Sequence, residues 1–178
     1  GAEGPINSPT VFNAVFALSQ FWDGRAADLA EQADGPVNNP KEMASSWPAV
    51  IAKLERDRAF TRAYRAVYAE GYSKETLTDA IAAFEATLIT PDSPFDQWLR
   101  GHHDAMTLPQ VKGWNRFRSY GCTSCHAGAA MGGLSYETMG VHGNWFGQRK
   151  TSAVDDGRFL VTGDPADRHK FKVPTLRN

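Results

Sequence analysis

Cysteine is scarce in this chain of 178 residues: there are two, Cys122 and Cys125. One pair of thiols excludes a multi-bridge disulfide framework. It also excludes an all-cysteine zinc site, which needs about four ligands and hence a second pair. No apolar run is long enough to cross a bilayer as a helix. Neither sign of charge dominates, since 19 Lys and Arg against 20 Asp and Glu leave a formal net charge of −1. That balance offers no electrostatic footprint for nucleic acid or an anionic membrane. There are no internal repeats and no low-complexity tracts. Residues 1–20 lack a basic start and a continuous apolar stretch, so no signal peptide is read there. What remains is ordinary for a globular chain: 42% hydrophobic residues are ample for a core. The length fits one domain or two small ones.

The two thiols lie in Cys122-Thr123-Ser124-Cys125-His126. C-x-x-C alone is shared by thioredoxin-like redox sites, half zinc sites and disulfides. A thioredoxin motif sits in a βαβ pattern, which the periodicity here does not show. A histidine directly after the second thiol reads as c-type haem attachment. Each thiol forms a thioether with a haem vinyl group, and His126 ligates the iron from one face. Attachment through thiols belongs to oxidising, extracytoplasmic compartments, so a bacterial periplasm is expected. Met131, Met139, His142 and His169 have the residue types for an opposite ligand. Met131 and Met139 follow His126 too closely to pass round a haem edge, and loop methionines more often fill gaps.

Apolar spacing predicts a mainly α protein. A helix is expected from Gly24 to Ala33, stopped by Gly35-Pro36. Ser46 caps the next, with Pro48 in its first turn. Another carries Phe60, Tyr64, Val67 and Tyr68 and ends near Gly71. Ser73 opens a helix with Leu77, Ile81, Phe84 and Leu88 on one face, closed by Pro91. A short helix covers about Phe95 to Arg100. Thr107-Leu108-Pro109-Gln110 is a capping box, and the helix it starts runs into Gly121 and the haem motif. Beyond His126 glycines are frequent and periodicity is weak, with Phe159-Leu160-Val161 as the one candidate strand. Asp23-Gly24-Arg25 and Asp156-Gly157-Arg158 read as turns, and either Arg25 or Arg158 suits a haem propionate.

Four segments, in this order, resemble the bacterial di-haem cytochrome c peroxidases, the group that includes the MauG-type enzymes. They are Asn7-Ser8-Pro9-Thr10-Val11-Phe12-Asn13, and Gln20-Phe21-Trp22-Asp23-Gly24-Arg25-Ala26 with its continuation to Met43. Then come Thr90-Pro91-Asp92-Ser93-Pro94-Phe95-Asp96, and the Cys122–His126 motif joined to Asp167–Asn178. The likeness covers essentially the whole chain. It departs in two ways. The family carries two haem motifs, and the first would precede Gly1. The family's chain also continues past Asn178, into a tail that brings the second axial ligand of the C-terminal haem. The chain is therefore expected to be an interior piece of a longer protein.

The resemblance implies cytochrome c-like haem domains with long loops. Residues 1–90 would be part of the N-terminal, peroxidatic haem domain, and 91–178 an incomplete C-terminal, electron-accepting domain. Cys122, Cys125 and His126 would hold the C-terminal haem c, one of two in the intact protein. Trp22 matches a tryptophan between the haems that helps pass electrons. Glu42 and Gln32 match residues over the open face of the peroxidatic haem. There a base moves a proton between the oxygens of hydrogen peroxide, and a desolvated carboxylate is shifted towards the working pH. Asn7 matches a ligand of a calcium ion between the domains. The implied activity is periplasmic reduction of hydrogen peroxide to water. The implied partner is a small donor protein, a cytochrome c or a cupredoxin, with a homodimer as a further expected assembly. A MauG-type oxidase acting on a protein is the alternative enzyme, and a mono-haem electron carrier the non-enzymatic rival.

Overall fold

The structure, a computed structural model, describes residues 6–140, 143–148 and 150–177. It is mainly helical. After a 3-10 turn at Ala14–Phe16 come α1 (Leu29–Asn38), α2 (Trp47–Leu54), α3 (Arg58–Arg65) and α4 (Lys74–Ala86). They are followed by α5 (Pro94–Leu99), α6 (Leu108–Ser119) and the one-turn α7 (Phe159–Thr162). Two short strands, β1 (Tyr136–Thr138) and β2 (Lys170–Lys172), pair antiparallel with Tyr136 opposite Lys172. No described helix is long and apolar enough to cross a membrane.

The caps set the helix starts. Asp57 accepts from the amides of Ala59 and Phe60 to open α3. Ser73 and Thr76 cap α4 reciprocally and Ser93 and Asp96 do so for α5, while at α6 Gln110 Oε1 accepts from both the amide and the hydroxyl of Thr107. The first helix differs from the expected Gly24–Ala33. Gly24 sits at φ +71, and the Gln20 amide bonds to the Ala26 carbonyl at 2.7 Å, so residues 20–26 close a loop. The helix begins only after Asp28, which accepts from the Glu31 amide at 2.9 Å. It then runs through Gly35-Pro36, because a proline in the last turn forfeits only one main-chain bond. The Asn39 amide resumes the ladder on the Gly35 carbonyl at 3.1 Å.

The expected strand at 159–161 is instead the single turn of α7. Leu160 and Val161 are exposed and, among the described residues, have no neighbouring strand to pair with, whereas residues 170–172 do.

Val37, Trp47, Tyr64 and Leu77 form a buried cluster, one from each of α1 to α4. Each such burial contributes roughly 1.5–3 kcal/mol. The Trp47 indole donates to Asp34 Oδ1 at 2.6 Å, and this bond holds the Asp34 carboxyl below the usual carboxylate range. α5 and α6 differ: neither has a fully buried side chain, although they carry Phe95, Trp98, Trp114 and Phe117.

Asn13 ties the halves together. It is 2% exposed and left-handed at φ 59, a conformation asparagine tolerates. Its amide nitrogen donates to Thr90 Oγ1 (2.9 Å) and to the Arg177 carbonyl (3.2 Å), while its Oδ1 accepts from the Thr90 amide (3.0 Å). Arg177 in turn forks onto Asp96 and donates to the Thr90 carbonyl.

Candidate functional site

Two separate places hold the residues singled out from the sequence. The first is the turn after α6. Gly121, at φ 78, breaks the helix and starts a 3-10 turn at Cys122–Ser124. The Cys122 carbonyl accepts from the amides of Cys125 (3.3 Å) and His126 (2.9 Å), which gathers both thiols and the imidazole on one turn. Both thiols are free and half-buried. His126 Nδ1 lies 3.1 Å from the Met131 carbonyl. A carbonyl only accepts, so Nδ1 carries the proton and Nε2 keeps its lone pair for a metal. Met131 thus orients His126 through its backbone.

Rings lead away from this turn. His126 stands 6.1 Å from Phe117, Phe117 5.9 Å from Trp114, and Trp114 4.8 Å from Phe95, centroid to centroid. Phe95, Trp114, Phe117, Met131 and Leu176 line a hollow of about 600 Å³. The donor set and this apolar wall fit a porphyrin held by two thioethers and one imidazole. The other candidate ligands stand elsewhere. Met139 is bonded to β2's approach through the His169 carbonyl. His169 Nδ1 is 2.7 Å from the Asp155 carbonyl, and its ring stacks on Phe146 at 4.0 Å. His142 lies outside the described residues.

The second place is a cleft of about 240 Å³ whose walls include Asn7, Trp22, Arg25, Gln32, Glu42 and Glu85. Gln32 comes from α1, Glu85 from α4, and the others from loops. The Trp22 indole donates to the Asn7 carbonyl at 2.9 Å. Glu42 Oε1 accepts from Asn39 Nδ2 at 2.7 Å, and Asn39 Oδ1 accepts from the Lys41 amide at 3.0 Å. Glu42 is exposed, so these residues alone do not supply the desolvated setting expected around it. Arg25 lies over Phe21 and pairs with Asp23, on the cleft, whereas Arg158 stacks on Tyr136 away from it.

Trp22 also borders a second cavity, of about 200 Å³, with Lys172 on its wall. The Lys172 amide donates to the Trp22 carbonyl at 2.7 Å, and its Nζ to the Ser19 carbonyl at 2.6 Å. Burial pushes this amine down to about 8, against the opposing pull of Asp23. Trp22 therefore touches the cleft on one side and β2 on the other. Two residues carried no role in the sequence reading. Lys172 lay inside a quoted motif, but nothing marked it as buried. Glu85 lay mid-helix, where glutamates are common. Among the described residues, no three His, Cys, Asp or Glu side chains are grouped to hold a metal ion.

A helical scaffold with one C-x-x-C-H turn beside an aromatic hollow defines the class of c-type haem proteins. Within that class the chain belongs to the di-haem cytochrome c peroxidase family, whose model matches residues 1–104. It is 53% identical over 180 residues to the cytochrome c peroxidase Ccp of Escherichia coli (strain K12), covering 100% of this chain and 38% of that protein. It is 46% identical to the cytochrome c551 peroxidase of Nitrosomonas europaea, covering 99% of this chain and 52% of that one. Among solved structures it resembles a MauG-like protein associated with microbial copper homeostasis. The TM-score is 0.83 at 25% identity, over 99% of this chain and 56% of the other. The chain thus spans between about two-fifths and a little over half of the length of these three proteins.

Proposed function

We propose that the intact protein reduces hydrogen peroxide to water in the periplasm, with electrons from a small cytochrome c or cupredoxin. One observation carries this reading: Trp22, Gln32 and Glu42, from a loop, a helix and a second loop, line a single cleft. Haem, when bound, supplies the iron redox chemistry that no side chain offers. The residues do the rest. Glu42 takes a proton from one oxygen of the peroxide and returns it to the departing oxygen. Gln32 holds the peroxide or Glu42 by its amide. Trp22 passes electrons from the Cys122–His126 side to the cleft, as its contacts with β2 and the cleft support. Residues 1–90 serve the peroxidatic side and 91–178 the electron-accepting side. The side chain of Asn7 gives one oxygen to a calcium ion between them. The names of the relatives support the peroxidase activity itself.

The test is Glu42→Ala in the intact, haem-loaded protein. Peroxide turnover should fall by roughly 100-fold or more while the Soret band is unchanged. Unchanged turnover would remove Glu42 from the mechanism. The likeness to a MauG-like structure favours a second reading, an oxidase acting on a protein partner. The ligand opposite His126 separates the two, methionine for the peroxidase and tyrosine for the oxidase. A haem-to-protein ratio of one would instead leave a simple electron carrier.

A further inference from the structure

Glu85 stands in the last turn of α4 and on the wall of the cleft shared by Glu42, Gln32 and Trp22. It is half-buried, and its carboxylate has no hydrogen bond or ion pair with any described residue. Glu42 differs on both counts, being exposed and held by Asn39. Burial pushes the Glu85 carboxyl up. The C-terminal end of a helix dipole acts in the same sense, since it disfavours a negative charge. The remaining charged group on the cleft wall is Arg25, engaged by Asp23. α1, packed on α4, presents Leu29, Gln32 and Pro36 to the cleft, none titratable, and its Glu31 is exposed, off the cleft wall, where it accepts from the Ala27 amide. Its Asp34 lies at the other end, beside Trp47 and Lys74. The 3-10 turn at Ala14–Phe16, also packed on α4, carries no titratable side chain.

One carboxylate held by an amide and one untied and half-buried, on the same wall, suit the division of labour of a base and an acid in one site. The reaction also demands a second proton-handling group. Hydrogen peroxide plus two electrons and two protons gives two waters. The transfer through Glu42 moves a proton from one oxygen to the other, breaks the O–O bond and releases the first water, with no net uptake. The second oxygen leaves as water only after two electrons arrive from the donor protein and two protons from solvent. We propose that Glu85 is the relay for those two protons, giving up its own and being recharged from solvent. This rests on the peroxidase reading.

The experiment uses the intact, haem-loaded protein as wild type, Glu85→Gln and Glu85→Asp. The first readout is the pH profile of kcat for peroxide. The second is the affinity for potassium cyanide against pH, which needs no turnover, because hydrogen cyanide must leave its proton in the cleft as it binds. Glu85→Gln should lower kcat tenfold or more, leave KM for the donor unchanged, and erase the acid-range inflection of both profiles. Glu85→Asp should keep the inflection but shift it. A Glu85→Gln protein with wild-type profiles overturns the proposal, as does a kcat lowered equally at every pH with the cyanide profile unmoved. If Glu85→Gln takes up no haem, the wild type and Glu85→Asp decide: the same inflection in both, or none in either, overturns it. If the wild type turns over no peroxide, the peroxidase reading fails, and the cyanide profiles alone still show whether Glu85 exchanges a proton with the cleft.

Discussion

Replacing Asp96 by asparagine removes the charge that Arg177 forks onto from the far end of the chain. Arg177 Nη1 reaches Asp96 Oδ1 at 2.8 Å, Nη2 bonds the other oxygen, and each side chain is 18% exposed. The guanidinium lowers the Asp96 carboxyl from 3.8 to about 2. At about 1.4 kcal/mol per pKa unit, that gap sets a ceiling near 2.5 kcal/mol. Partial solvent screening brings it to about 1–2 kcal/mol. A depressed carboxyl stabilises the fold above its unfolded value and loses that contribution as pH falls towards its folded one. The variant should therefore unfold in urea with about 1–2 kcal/mol less stability at pH 7, and the deficit should shrink to about half by pH 3. Circular dichroism of the intact, haem-loaded protein at both pH values measures it. Equal stabilities at pH 7, or a deficit that stays constant down to pH 3, would refute the account of this pair.

Two further outcomes follow from close packing and burial. Gly24 stands at φ +71, and a Cβ there would lie 1.7 Å from Tyr136 Oη and 2.7 Å from Arg158 Nη1. Gly24→Ala should cost about 2–4 kcal/mol, from left-handed strain plus overpacking, read as a lowered Tm. Lys172 has a folded pKa of about 8 against 10.5 unfolded, so the unfolded chain holds more protons between those values. Stability should rise with pH across that window. Lys172→Met should flatten the rise in a series of thermal melts, and a slope unchanged by the substitution would contradict the burial of this amine.

Much of the scaffold is legible along the chain because its signals are local. The caps at Ser73 and Thr107 act within four residues, so the starts of α4 and α6 are readable from spacing. The first helix is not. Gly24 takes its conformation where Tyr136 and Arg158 close over it, from more than a hundred residues away. The strand misplaced at 159–161 has the same origin, since β2 is a strand because β1 lies beside it. The cleft shows both cases. Resemblance of motifs points to Trp22, Gln32 and Glu42, but no pattern marks Glu85, whose place depends on α4 lying against α1.

The sequence by itself determined the donor set proposed for haem: two thiols and an imidazole lie within five consecutive residues, so any turn there brings them together. Only the tertiary structure decided which carboxylates share the cleft and which of them is the more buried. Desolvation belongs to packing between distant segments, and nothing in a residue's own neighbours along the chain encodes it.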